Sequence, residues 1–130
     1  SLPMLGSSLG REIRAELALK EARLERRLKH YRERLQRVMT TNRRAVGRLY
    51  TTGLLFSKEG TRAGRDLLLA HQHLLRVVTL LDRLSDQGDV PSPQKTDAVD
   101  AIFLELDQLL ERTGELTHRT SAVLDSLRGE

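Results

Sequence analysis

One apolar stripe constrains this chain more than any other feature in it. Leu17, Leu24, Leu28, Tyr31, Leu35, Val38, Ala45 and Leu49 follow steps of three and four residues, with polar Glu21 and Asn42 filling the same register. This is the spacing of a heptad seam, the narrow line along which one helix packs on another. No proline interrupts it, so the first helix is predicted over about residues 9–55, with Ser7 or Ser8 as its cap. A helix of some forty residues at about 1.5 Å per residue is about 60 Å long, more than the width of a small bundle. Part of it is expected to project.

Gly53, Gly60 and Gly64 surround Leu54, Leu55 and Phe56 and predict a turn. Ser57 or Thr61 can cap a second helix over about 60–85. Its apolar positions, Leu67, Leu68, Ala70, Leu74, Leu75, Val77, Val78, Leu81 and Leu84, form a broader face than the first helix has, as packing on two neighbours requires. Asp86 to Pro93 is the clearest break. Gly88 ends one helix there, and Ser92 with Pro93 has the cap-plus-first-position pattern of the next. The third helix, about 93–128, carries Val99, Ile102, Leu106, Leu109, Thr113, Leu116, Thr120, Val123 and Leu127, widened by Phe103, Leu110 and Leu124. Gly114 weakens its middle by up to about 1 kcal/mol without breaking it.

Short connections make consecutive helices antiparallel neighbours. The expected fold is all-α: an antiparallel three-helix bundle or coiled coil with an elongated first helix, open to dimerisation into a larger helical bundle. A flexible segment, 1–8, precedes a single domain, 9–130. Composition agrees, since only 3% of residues are aromatic, none is Trp, and 31% are charged, a balance that favours helices over sheets.

The net charge of +4 conceals a gradient. Residues 11–50 hold 13 basic and 5 acidic side chains, a net of +8, whereas residues 86–130 hold 4 and 10, a net of −6. Arg23, Arg26, Arg27, Lys29, Arg32, Arg34, Arg37, Arg43, Arg44 and Arg48 surround the first seam on all sides. Glu12, Glu16, Glu21, Glu25 and Glu33 can pair with some of them along the helix. The remainder suit either an acidic external surface or the chain's own acidic third helix. Compensation within the chain or within a homodimer is the preferred expectation. Nucleic acid is a poor fit, because no zinc pattern, RNP-like motif or interleaved aromatic residue is present. Anionic lipid also fits poorly, because the stripe is narrow and lacks interfacial Trp or Phe.

Chemistry-bearing patterns are few. The chain has no Cys, which removes disulfides, thiolate metal sites and cysteine nucleophiles. No GxSxG, P-loop, HExxH or EF-hand pattern occurs, and acidic pairs such as Asp97 with Asp100 have no predicted cleft. His71 and His73 point about 200° apart on a helix and cannot share an ion by themselves. The run Ala70-His71-Gln72-His73-Leu74-Leu75-Arg76 loosely resembles the site of histidine phosphotransfer domains, a resemblance that implies phosphate transfer through His73. In that family a Lys and then a Gly follow the phosphorylated His, where this chain has Arg76 and Val77. Three-helix spectrin-like repeats share the outline but not the aromatic pattern.

The function expected from these features is a non-enzymatic scaffold or adaptor without cofactor. It would self-associate as a homodimer, or pair with a partner helix, in cytoskeletal, centrosomal or trafficking assemblies. The contact residues are Leu17, Leu24, Leu28, Tyr31, Leu35, Val38 and Leu49, flanked by Arg23, Arg27, Arg34, Arg37 and Arg44. The alternatives are a basic module binding an acidic polymer (tubulin tails, anionic lipid or nucleic acid) and a histidine phosphotransfer domain. Without a membrane-length apolar run or a leading signal pattern, an intracellular, cytoplasmic location is expected. The loose opening from Ser1 is consistent with a portion of a longer protein.

Overall fold

A computed structural model describes residues 7–86 and 93–127. Three helices make up nearly all of it: α1 (Ser8–Thr51), α2 (Lys58–Ser85) and α3 (Pro93–Leu127), with a single 3-10 turn at Leu54–Phe56. The fold is an all-α three-helix bundle, as the periodicity predicts. The segment before Ser7, the Gly88 and Ser92 signals and the end of the third helix at 128 lie outside the described residues.

The chain divides into two compact units, Ser1–Tyr31 and Arg32–Glu130. In the first, the Ser7 hydroxyl accepts from the backbone N–H of Gly10 at 3.1 Å, which settles the choice of cap in favour of Ser7. Leu28 and Tyr31 are buried, and the His30 ring meets Tyr31 edge to face at 5.6 Å.

In the second unit, side-chain pairs fix the helix directions. Arg34 reaches Asp107, Asn42 meets Thr117 and Arg48 reaches Asp125, so α1 and α3 run parallel. Arg76 with Glu105, and Arg119 with Asp66, show α2 antiparallel to α3, and Arg32 donating to Ser85 together with Leu49 lying against Gly64 shows it antiparallel to α1. This is up-down-up topology. Ala45, Leu49, Ala63, Leu67 and Leu124 cluster at the end nearest the first turn, with Val46, Leu54 and Leu55 packed against them.

The first turn is tighter than the sequence suggests. α1 stops at Thr51 rather than near 55, because Gly53 takes a left-handed conformation (φ 71°) that ends the helix with no Cβ penalty. α2 starts at Lys58 rather than near 60, because Ser57 accepts from the Gly60 N–H at 2.8 Å while donating to the Leu54 carbonyl at 2.7 Å. A Cβ on Gly60 would lie 1.5 Å from the Leu54 carbonyl oxygen, so the turn admits no side chain there.

α3 also departs from its predicted seam. Phe103, Leu106, Leu110, Thr113, Thr117, Thr120 and Leu124 form its buried line at steps of three and four, while Ile102, Leu109 and Val123 are only half-buried. The predicted seam follows Ile102, Leu109, Leu116 and Val123, one residue before the buried Phe103, Leu110, Thr117 and Leu124, and so omits Thr117. Leu116 is buried beside this line.

Candidate interaction surfaces

The α1 seam divides sharply by burial. Leu28 and Tyr31 are buried in the first unit; in the second, Ala45 and Leu49 are buried and Leu35 and Val38 half-buried, so that part of the predicted contact surface is covered within the second unit itself. Asn42 belongs to this covered part. Its Oδ1 accepts from the Thr117 hydroxyl at 3.2 Å, so it serves as a core polar residue and not as a surface one.

Towards the amino terminus the same helix is open. From Ser8 to Arg27 only Gly10 is buried, Leu17 and Leu24 are half-buried, and Leu9, Ile13 and Leu19 are 48%, 48% and 54% exposed. At about 100° per residue, Leu9, Ile13, Leu17 and Leu24 share one face of the helix while Leu19 lies apart, and a contiguous apolar face of this kind is a feature of surfaces that meet another molecule.

The arginines divide likewise. Arg34 donates to Asp107 at 2.9 Å, and Arg48 pairs with Asp125. Both acids belong to α3, so part of the charge gradient is neutralised inside the bundle. Arg23, Arg27, Arg37 and Arg44 are exposed, and Arg37 borders a shallow cavity of about 220 Å³ with Val38, Gly114, Thr117 and His118. A second cavity, of about 330 Å³, lies between α2 and α3 beside Arg62, Asp66, Arg119 and Thr120. Its Arg119 is held by Asp66 at 3.0 Å.

No family model, curated protein or solved structure matches the chain. The surfaces themselves must therefore carry the functional reading.

His71 is exposed and His73 half-buried, and the Arg76 that follows is engaged by Glu105 at 3.0 Å. Among the described residues no group of three His, Asp or Glu side chains could hold a metal ion, and no helix is long and apolar enough to cross a membrane.

Sequence reasoning missed two features. Thr117 is the first, and its signal is its place in the heptad line between Leu110 and Leu124. The second is that Leu68, Leu75 and Val78, assigned to the broad packing face of α2, are 59%, 55% and 39% exposed. Their signal is that each sits one residue beyond a core position, Leu67, Leu74 or Val77.

Proposed function

We propose that this chain is a non-enzymatic helical interaction module, a scaffold or adaptor. Its α1 arm, from Ser8 to Arg27, packs against a partner helix. The supporting observation is that Leu17 and Leu24 continue the buried seam of Leu28 to Leu49 into a stretch where apolar side chains stand open. A second helix laid along this register would extend the heptad packing and bring acidic residues towards Arg23 and Arg27. The contact residues are thus narrowed to Leu17, Leu24, Arg23 and Arg27, with Leu9 and Ile13 added. A partner of acidic amphipathic character fits best. The acidic-polymer alternative is weakened because Arg34 and Arg48 are already engaged by α3 carboxylates.

The test is Leu17→Asp combined with Leu24→Asp, both at incompletely buried positions. The variant should keep its helical circular dichroism but lose binding to an acidic amphipathic helical peptide in a titration at low salt. Equal binding by the variant and the parent chain would overturn the assignment.

A further inference from the structure

In the second unit, the groove between α1 and α3 changes character along its length. Arg34, Arg37, Thr41 and Arg48 share one face of α1, and Asp107, Gly114, His118, Ser121 and Asp125 share one face of α3. An ion pair stands at either end, Arg34 with Asp107 and Arg48 with Asp125. Between them the cations lose their acidic counterparts. Arg37, Thr41, Gly114, His118 and Ser121 border the cavity of about 220 Å³, and no acidic side chain lines it. Among the described residues neither Arg37 nor His118 has an ion-pair partner, and the Ser121 hydroxyl makes no hydrogen bond. Glu111, one turn before Gly114, does not border the cavity and pairs with neither cation. Gly114 supplies the opening. A Cβ there would meet nothing within 4 Å, so no packing contact requires a glycine at a mid-helix position where glycine weakens the helix.

We propose that this cavity binds a phosphoryl group, as inorganic phosphate or as the phosphate of a monoester. The Arg37 guanidinium offers a planar fork of N–H donors that matches two phosphate oxygens. The Ser121 hydroxyl and the His118 ring add donors from the opposite helix, and a protonated His118 adds charge. Thr41 is not counted, because its hydroxyl already donates to the Arg37 carbonyl at 3.0 Å. Donors on two walls of one opening suit a tetrahedral group with three terminal oxygens better than a carboxylate with two. The cavity is smaller than the roughly 300 Å³ at which pockets for whole small molecules begin, so it takes the phosphoryl group and leaves the body of an ester outside, against Val38.

The test is an amide NMR titration of the full chain with inorganic phosphate and with phenyl phosphate at low ionic strength. Saturable shifts should centre on Arg37, Gly114, His118 and Ser121, and acetate at matched ionic strength should bind about tenfold more weakly. Tighter binding of phenyl phosphate assigns the site to a monoester, and equal affinities assign it to free phosphate. Arg37→Gln, at an exposed position, should weaken binding about tenfold, while Arg65→Gln, an exposed arginine on α2, should leave it unchanged. Gly114→Leu keeps every charge but fills the cavity, and should abolish the shifts. Leu17→Asp with Leu24→Asp should not alter them, so this site and the α1 assignment fail separately. No saturable shift in the millimolar range, equal losses from Arg37→Gln and Arg65→Gln, or binding that survives Gly114→Leu would each remove the site and leave only diffuse surface charge.

Discussion

The Thr117 hydroxyl on α3 donates to Asn42 Oδ1 on α1 across 3.2 Å, and both residues are buried. This pair is a buried side-chain hydrogen bond between the two helices, and it fixes which turn of α1 faces which turn of α3. A slip by one turn would leave both groups without partners, at a cost of about 1–3 kcal/mol for each buried polar group.

Asn42→Ala is therefore expected to lower unfolding free energy by about 1–3 kcal/mol, since it strands Thr117 as well as removing contacts. Asn42→Leu combined with Thr117→Val should recover most of that loss. Urea denaturation of the parent, Asn42→Leu, Thr117→Val and the double variant gives the coupling, and additive single effects would show that the hydrogen bond has no energetic role.

Thr120 is the opposite case. It is buried, and its Oγ1 has no hydrogen-bond partner among the described residues, whereas Thr113 two turns earlier donates to the Leu109 carbonyl at 2.7 Å. Thr120→Val keeps the shape and removes the stranded hydroxyl. It should raise stability by about 1 kcal/mol, and a lowered thermal midpoint would contradict the assignment.

Two glycines should respond in opposite directions. Gly60→Ala drives a methyl into the Leu54 carbonyl and should lower the thermal midpoint by many degrees, because a backbone atom cannot step aside. Gly47 in α1 is exposed, with nothing within 4 Å of its Cβ position. Gly47→Ala should stabilise by about 0.5–1 kcal/mol in the same calorimetric experiment.

The α1–α3 ion pairs should contribute little to stability. Arg34–Asp107 and Arg48–Asp125 are 29%/50% and 30%/52% exposed at their side chains. Double-mutant cycles should give about 0–1 kcal/mol for each, shrinking with added salt. A coupling well above that range would mean that these pairs hold the bundle together.

Much of the fold was legible because helix packing writes itself into the sequence at a fixed period. The α1 line from Leu28 through Asn42 to Leu49 is the buried line observed, and Gly53 and Ser57 mark the first turn. Helix ends were less legible, since one left-handed glycine decides where α1 stops and apolar Leu54 and Leu55 beyond it resemble continuing helix. The centre of the α3 face was displaced by one residue because Leu109, Leu116 and Val123 offer an apolar line beside that of Leu110, Thr117 and Leu124, and Thr117 is buried through one specific partner. The extent of the candidate surface was beyond sequence reasoning. Periodicity shows which residues share a face, but not whether a neighbour from the same chain already covers it, as happens to Leu49 but not to Leu75.

The parallel pairing of α1 with α3 also orders events in time. Its partners are separated by 73, 75 and 77 residues along the chain, whereas Arg76 and Glu105 across α2 and α3 are 29 apart. Leu49 and Gly64 across α1 and α2 are closer still in sequence. Shorter closures form at lower entropic cost, so the α1–α2 and α2–α3 hairpins are both expected to close before α1 meets α3. Conservative truncations at Leu67 and Leu74 should then slow refolding, while Asn42→Ala, which acts across α1 and α3, should chiefly speed unfolding. Equal φ-values at the two sets of positions would show that all three helices come together in one step.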